Sequence, residues 1–168
     1  MIRTTAKALI VNNGRILLNR CQNTVGDLSW GLPNGAVYYD MPGGGQSEFE
    51  TIDETVRREV QEETGYEVVT ARLAAVYEEI MVRDERAFDE YIRGIYQKHC
   101  HKIHFIFNCI IKGEPIKPVT EKDLDMIESE WVDIGQIKKI PLYPKPIQDN
   151  FDAIINSQTV VFLGSDRI

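Results

Sequence analysis

The 168 residues are enough for one folded domain with a sizeable core. Hydrophobic residues make up 43% and charged residues 27%, which is typical of a globular protein. The net charge of −7 argues against a nucleic-acid groove built on bulk basic charge, but it permits a phosphorylated small molecule held through a metal ion. We therefore predict a single domain over residues 1–168 that does not bind nucleic acid.

The chain carries three cysteines, Cys21, Cys100 and Cys109, at irregular spacing. An odd number at such spacing argues against a disulfide scaffold and favours a reducing, cytoplasmic setting. No apolar run approaches the length that crosses a bilayer, and the N-terminus has no signal-peptide core. We expect a cytoplasmic protein that is not bound to a membrane.

The first predicted elements are a hairpin, a loop and a short strand. Residues 5–20 are apolar on both sides of an Asn-Gly pair that suits a tight turn, so they predict a β-hairpin. A polar loop around Trp30 follows, and residues 36–41 predict a short strand. That strand runs into a Pro-Gly-Gly-Gly sequence at 42–45, which favours neither a strand nor a helix.

A helix is predicted over residues 48–64. Ser47 suits the N-cap position, and Glu50 three residues later completes a capping box. Gly65 suits the position that ends a helix. At about 100° per residue, one apolar stripe should face the core. The members of that stripe are Phe49, Ile52, Val56 and Val60.

Three carboxylates, Glu59, Glu62 and Glu63, lie within two turns of this helix. Like charges at such spacing destabilise a helix slightly. Glu59 and Glu63 lie at the border of the apolar stripe, where the helix meets the rest of the fold, and Glu62 lies farther round. Alone, these residues would indicate a solvated acidic face. With the glycines and Arg58 at fixed spacing, they indicate an oxygen-rich site for Mg²⁺ or Mn²⁺.

The rest of the chain is predicted to contain more strands than helices. Residues 103–111 are apolar on both faces, so we expect a central strand. Strands and helices alternate only partly, which favours an α/β (α+β) fold with helices on the faces of a mixed β-sheet. The predicted elements are one or two strands at 68–82, an insertion at 83–100, strands at 103–111 and 128–134, a short helix at 135–140, a helix from Pro146 to about Asn156 and a strand at 159–163.

The spacing of the fixed residues resembles the Nudix box, the signature of the Nudix hydrolases. Gly44 is followed by five residues and Glu50, and after seven more residues comes the run Arg-Glu-Val-Gln-Glu-Glu-Thr-Gly-Tyr at 58–66. Tyr66 stands where the pattern more often has an aliphatic residue, but its ring is largely apolar. The resemblance implies the Nudix-like α/β/α sandwich with a mixed β-sheet.

The resemblance also implies roles for individual residues. Glu59 and Glu63 match the principal metal ligands, and Glu62 matches a further ligand or the catalytic base. The carbonyl oxygen of Gly43 is implied as a backbone ligand. The residues that brace the helix and orient the carboxylates are matched by Glu50 and Arg58. Members of the family use Mg²⁺ or Mn²⁺ to hydrolyse the phosphoanhydride bond of a nucleoside diphosphate linked to another group. The resemblance therefore implies a small-molecule nucleoside diphosphate derivative as the partner of this protein.

Elementary chemistry agrees with these roles. A diphosphate and an acidic protein repel each other, and divalent ions held by glutamates would cancel that repulsion and bridge the phosphate oxygens. The ions would also lower the pKa of a water molecule that attacks phosphorus. A neighbouring carboxylate would accept the proton of that water.

Some residues keep a second interpretation at this level. Arg58 has the alternative of an ion pair with Glu54, one helical turn earlier. The histidines and the cysteine near residue 100 do not have the spacing of a closed zinc site, and a substrate contact from one of the two later histidines stays open. These residues are His99, Cys100, His101 and His104.

Further ligands and ring contacts are also open. A metal-binding glutamate outside the box stays open at Glu121, Glu128 and Glu130. Trp30 and Trp131 are more simply packing residues. Three other aromatic residues are candidates for stacking on a base, although each is more simply structural: Tyr38, Tyr39 and Phe88.

Three classes of function are weighed from the sequence. The first is the metal-dependent hydrolase, and the second is a non-catalytic module that senses a nucleotide or sugar nucleotide in the same pocket. The third is a scaffold or interaction domain, which would show neither binding nor turnover. The complete box favours the hydrolase. The sequence specifies neither the substrate nor the oligomeric state, and a homodimer through an edge strand or through residues 83–100 stays open.

Overall fold

The computed structural model describes residues 2–24, 32–80, 101–123 and 125–167. Among these residues, no helix is long and apolar enough to cross a membrane. The strands are β1 (Ile2–Asn12), β2 (Arg15–Gln22), β3 (Val37–Asp40), β4 (Val68–Ile80), β5 (His101–Ile111), β6 (Met126–Asp133), β7 (Leu142–Tyr143) and β8 (Val161–Arg167). The helices are α1 (Ile52–Thr64), a 3₁₀ segment (Ile134–Lys139), α2 (Lys145–Asp149) and α3 (Phe151–Asn156).

The strands form a mixed β-sheet whose two halves meet at the first hairpin. In one half, β5 lies between β1, which is parallel to it, and β4, which is antiparallel, and β8 runs parallel to β4. In the other half, β2 pairs antiparallel with β3 and β6, and β7 pairs parallel with β3. β1 and β2 pair only beside their turn. The predicted hairpin, the central β5 and the mixed sheet are confirmed.

Helices pack on both faces of the half that contains β1 and β5. Along β1 the side chains alternate, so neighbouring residues serve different cores. Val56 and Val60 of α1 are fully buried against the face that carries Ala8. The opposite face carries Leu9 and is covered by α2 and α3 through Ile147, Phe151 and Ile154. The sandwich of helices around a mixed sheet is the predicted architecture.

The start of α1 differs from the prediction. The N-cap is Thr51, whose hydroxyl accepts a hydrogen bond from the backbone N–H of Glu54, and the Glu54 carboxylate accepts from the Thr51 N–H at 2.8 Å. Ser47 is not the cap, although its N–H does donate to the Glu50 carboxylate at 3.1 Å. Two overlapping capping patterns exist here, and the later one begins the helix.

Phe49 explains why the earlier pattern cannot begin the helix. Its φ is 65°, in the left-handed region that interrupts a right-handed helix. Its side chain is fully exposed. The prediction that Phe49 faces the core is therefore wrong, whereas Val56 and Val60 are buried as predicted. Gly65, at φ 75°, ends the helix as predicted.

The C-terminal part follows the prediction with shifted bounds. Residues 68–80 form one strand with two irregularities. The short helix is a 3₁₀ segment. The helix expected from Pro146 is two short helices that meet at Asn150, and the last strand runs over Val161–Arg167. The insertion at 83–100 and the predictions for Trp30, Phe88, His99 and Cys100 lie outside the described residues.

Candidate functional site

Arg58 connects three of the predicted carboxylates. Its Nε and Nη2 donate to the two oxygens of Glu50 at 2.8 and 3.0 Å. Its Nη1 donates to Glu59 at 2.8 Å and to Glu62 at 2.9 Å. In the described part of the chain the alternative ion pair with Glu54 does not form, because the Glu54 carboxylate binds Thr51 instead. One guanidinium group thus orients three acidic side chains.

The acids around Arg58 differ in pKa. The hydrogen bonds from Arg58 lower the pKa of Glu50 to about 2, even though partial burial opposes this. Glu50 is therefore an ionised, fixed partner of the arginine. Glu59 behaves in the opposite way, because its burial raises its pKa although Arg58 lowers it. A cation that replaced water around Glu59 would favour its ionised form.

The glycines before α1 allow the backbone to lie against this cluster. A Cβ atom on Gly44 would lie 2.6 Å from the carboxylate of Glu59. Gly43 has a φ of 138°, and a Cβ there would lie 2.0 Å from the carbonyl oxygen of Ala6 on β1. Any side chain at either position would displace the loop or the carboxylate.

Glu63 is the most buried of the box glutamates, with 2% of its surface exposed. Its Oε2 accepts hydrogen bonds at 2.8 Å from the Asn19 amide of β2 and at 2.8 Å from the backbone N–H of Gly43. Burial raises the pKa of Glu63 to about 8; the Lys7 ammonium lowers it, and the Asp123 carboxylate raises it further. This carboxyl group carries an electrostatic cost that a nearby cation would relieve.

Lys7 and Asp40 form a buried ion pair beside Glu63. The Nζ of Lys7 lies 2.6 Å from Oδ2 of Asp40, and it also donates to the carbonyl oxygens of Gly43 at 2.9 Å and Met41 at 3.3 Å. Burial acts to lower the Lys7 pKa, but the surrounding carboxylates raise it above its ordinary value. The ammonium group is therefore charged and in contact with the Gly43 carbonyl that was predicted to bind metal.

The loop that precedes β6 brings one more acid to the site. The backbone N–H groups of Thr120 and Glu121 donate to the carbonyl oxygen of Glu62 at 2.9 and 3.3 Å, so this loop runs along the end of α1. Farther along the loop, the Asp123 carboxylate raises the pKa values of Lys7 and Glu63 through its charge. Asp123 thus contributes to the electrostatics of the site.

The oxygen atoms suit a hard divalent cation, but they are not assembled around one position. Among the described residues, no three acidic, histidine or cysteine side chains are arranged to hold a metal ion. Glu59 and Glu62 turn towards Arg58, while Glu63 binds Asn19 and Gly43. The donor types, carboxylate and carbonyl oxygen, fit Mg²⁺ or Mn²⁺. The buried Glu63 carboxyl has the greatest need of a cation.

Of the three glutamates considered outside the box, two have other partners and the third is exposed. Glu128 pairs with Arg20, and Glu130 accepts from the Tyr39 hydroxyl at 2.7 Å. Glu121 is exposed. The carboxylate that the sequence analysis did not consider, Asp123, is the one that acts on Glu63.

The two described histidines do not converge. His101 Nε2 lies 2.7 Å from the Glu78 carboxylate, and His104 Nδ1 lies 2.9 Å from the Thr5 hydroxyl. Trp131 has a packing role, because its ring meets Tyr66 edge-on at a centroid distance of 6.1 Å. Tyr38 is buried.

Three residues that bind Glu63 or act on it through their charge escaped the sequence analysis, and two of them carried a signal. Lys7 is the one charged residue in the apolar run from Thr5 to Val11, and Asn19 follows the apolar run of β2. A polar residue on a buried strand needs a partner, so both positions point to a polar site. Asp123 lies in a polar loop and carries no such signal.

A family model described as the NUDIX domain matches residues 1–151. A comparison with curated protein sequences finds no match.

Solved structures share the fold. A mutator MutT protein from Bacillus halodurans has a TM-score of 0.66 at 19% identity, over 95% of this chain and 86% of that chain. A MutT protein from Methanosarcina mazei Go1 has a TM-score of 0.58 at 24% identity, over 92% and 93%. A protein from Streptococcus suis 89-1591, described as an ADP-ribose pyrophosphatase, has a TM-score of 0.55 at 17% identity, over 95% and 98%. At these identities the likeness establishes the fold.

Proposed function

We propose, from the premise that this chain belongs to the NUDIX domain family, that it is a metal-dependent pyrophosphohydrolase. Its substrate would be a nucleoside diphosphate linked to another group, and the bond broken would be the phosphoanhydride. The observation that carries the proposal is the network in which Arg58 of α1 binds Glu50, Glu59 and Glu62. The same helix presents the buried Glu63.

Each residue of the network has a proposed role. Glu59, Glu62 and Glu63, with the carbonyl oxygen of Gly43, would hold Mg²⁺ or Mn²⁺, and Glu62 is also the candidate general base. Arg58 and Glu50 act through these acids, because their bidentate pair fixes the guanidinium that orients Glu59 and Glu62. When bound, the divalent ion supplies charge neutralisation of the diphosphate and a more acidic attacking water.

The close approach of backbone to carboxylate supports binding of a diphosphate. Gly43 and Gly44 leave no room for a side chain between the loop and its neighbours, so the loop stays thin beside the acids. Backbone groups that are not covered by side chains can approach phosphate oxygens closely. ADP-ribose is the first compound to test, because the Streptococcus suis structure with this fold is described as an ADP-ribose pyrophosphatase.

A cytoplasmic location is part of the proposal. Cys21 and Cys109 are free, buried thiols rather than disulfide partners. Burial raises the pKa of each thiol to about 12, so neither is a reactive thiolate at neutral pH.

The first test replaces Glu63 with glutamine. Glu63→Gln preserves the shape of the side chain and removes its negative charge, so we expect the fold to persist and Mg²⁺-dependent turnover to fall roughly 100-fold or more. Turnover would be measured on a panel of nucleoside diphosphate derivatives with Mg²⁺ and Mn²⁺, with circular dichroism as the check on folding.

Glu67→Gln is the matched control for this test. This variant makes the same replacement of a carboxylate by an amide, but at the surface, where Glu67 Oε2 lies 3.8 Å from Lys112 Nζ. Its turnover should remain within about twofold of the wild type, because exposed pairs contribute little. Wild-type turnover in Glu63→Gln would refute the metal role. Nucleotide binding without hydrolysis across the whole panel would instead establish the sensing module.

A further inference from the structure

Lys7 is a buried cation that the predicted site did not include. It lies on β1 between Ala6 and Ala8, and its side chain is 8% exposed. Its ammonium group has three acceptors: the Asp40 carboxylate and the carbonyl oxygens of Gly43 and Met41. Because an ammonium group has three N–H donors, these contacts use its full capacity. The group is fixed in place rather than free to reach a ligand.

Gly43 connects this cation to the most buried acid of the site. The carbonyl oxygen of Gly43 accepts from Lys7 at 2.9 Å, and the N–H of the same residue donates to Glu63 at 2.8 Å. A single residue, Gly43, therefore links the Lys7 ammonium group to the Glu63 carboxylate through hydrogen bonds. The pair is buried, so salt screens this interaction less than it would at the surface.

We propose that Lys7 is the resident cation of this site, which holds Gly43 beside Glu63 when no divalent ion is bound and opposes a divalent ion when one binds. The inference rests on the proposed function, because it assumes that Glu63 binds metal. Lys7 is a positioning residue in this scheme: it acts through Gly43 and Glu63 and does not touch the substrate.

The physical reason for the opposition is that the Lys7 ammonium group already binds the Gly43 carbonyl oxygen, and that Gly43 also binds the Glu63 carboxylate through its N–H. A divalent ion at Glu63 would lie near the ammonium group, and two cations in a buried site repel each other. A carbonyl oxygen has two lone pairs, so Gly43 can accept from Lys7 and still bind a metal ion, but with divided electron density. Binding of the ion and the presence of the Lys7 charge must therefore weaken each other to the same degree.

The test measures Mn²⁺ binding by Lys7→Met with titration calorimetry and with electron paramagnetic resonance of the free ion. Methionine retains most of the apolar stem and removes the ammonium group. We expect Mn²⁺ to bind roughly tenfold more tightly than to the wild type, in line with typical coupling between sites. The metal-free variant should melt at a lower temperature, and Mn²⁺ should raise its melting temperature by more than in the wild type.

Two further variants make the result specific. Lys112→Met changes the net charge equally at an exposed pair and should leave the Mn²⁺ affinity within about twofold. Lys7→Met combined with Asp40→Asn avoids a buried unpaired Asp40 charge, so it should fold even where the single variant does not. The double variant should still bind Mn²⁺ more tightly than the wild type. Wild-type affinity in the double variant would assign the gain to Asp40 and overturn the role of Lys7.

The remaining outcomes separate this inference from the proposed function. Equal or weaker Mn²⁺ binding by Lys7→Met, with tight binding by the wild type, overturns only the role of Lys7. Failure of both proteins to bind Mn²⁺ overturns the metal-dependent function, and this inference with it. If the ion lies at Glu63, adding Glu63→Gln to Lys7→Met must abolish Mn²⁺ binding.

Discussion

Glu63 on α1 and Glu79 on β4 are equally buried, with 2% and 1% of their surfaces exposed, but their surroundings differ. Glu63 Oε2 accepts two hydrogen bonds, from Asn19 and from Gly43, and the charged Lys7 lies one residue away. Within the described part of the chain, Glu79 accepts one hydrogen bond, from the Tyr143 hydroxyl, through Oε2. Its Oε1 has no hydrogen-bond partner among the described residues.

The neighbours of Glu79 continue this contrast. His104 Nε2 lies 3.9 Å from Glu79 Oε2, too far for a hydrogen bond, and is likewise unsatisfied within the described part of the chain. Burial lowers the pKa of His104 well below its ordinary value, so the imidazole is neutral and does not balance the carboxylate. Both acids have a lysine nearby, Lys7 through Gly43 and Lys102 at 3.8 Å, so the contrast lies in their hydrogen bonds. Two donors converge on Glu63, whereas Tyr143 is the donor to Glu79 among the described residues.

The largest test of this comparison is the effect of pH on the stability of the metal-free protein. The pKa of Glu63 is raised from 4.5 to about 8 by burial. A group whose folded-state pKa is raised stabilises the protein fully below its unfolded pKa and loses that contribution as the pH rises through the folded value. The free energy of unfolding should therefore fall by a few kcal/mol between pH 4.5 and 8.

Chemical denaturation in a chelator across this pH range would measure the slope. Lys7 and Asp123 also act on this carboxyl group, so the wild-type slope contains more than Glu63 alone. The difference between the wild type and Glu63→Gln isolates the contribution of Glu63, because glutamine does not titrate. An identical slope in Glu63→Gln would show that the burial of this acid has no energetic consequence.

The second prediction applies the same substitution to the other acid. Glu79→Gln removes a buried charge, keeps an acceptor for Tyr143 and adds an N–H donor, so we expect the free energy of unfolding to rise by about 1 kcal/mol. Turnover should stay within about twofold, in contrast to Glu63→Gln. A loss of turnover as large as that of Glu63→Gln would remove the distinction between the two acids.

The sequence predicted the clustering of acids that local spacing determines. The acids Glu59, Glu62 and Glu63 and the brace at Arg58 lie within two turns of one helix, so their proximity follows from helical geometry. The strand β5 was predicted as central because a strand covered on both faces is apolar on both. Such features need no knowledge of distant residues.

Contacts between distant residues were not predictable in this way. Asn19 and Glu63 are 44 residues apart, and Lys7 and Gly43 are 36 apart. The start of α1 depended on a similar contact: Glu50 binds Arg58, eight residues later, while the capping box forms at Thr51 and Glu54. Two capping patterns overlap there, and the later one, at Thr51 and Glu54, begins the helix.

Glu79 shows the same limit for a strand. Glu78 and Glu79 are adjacent and chemically identical in the sequence, but side chains alternate along β4, so one reaches His101 and the other is buried. Only the register of β4 against β5, which pairs Glu79 with Lys102, decides which glutamate is buried.

The smallest expected effect concerns Lys102. Among the described residues, Lys102 forms an ion pair with Glu79 Oε1, the oxygen that has no hydrogen-bond partner there. Its Nζ lies 3.8 Å from Glu79 Oε1, and the lysine side chain remains 20% exposed. At this distance and exposure, Lys102→Met should cost less than about 1 kcal/mol of stability. A double-mutant cycle with Glu79→Gln, measured by chemical denaturation, would isolate the pairwise term. A coupling of several kcal/mol would instead show that the Lys102 charge acts strongly on Glu79, and the hydrogen bonds would then be the feature that distinguishes the two acids.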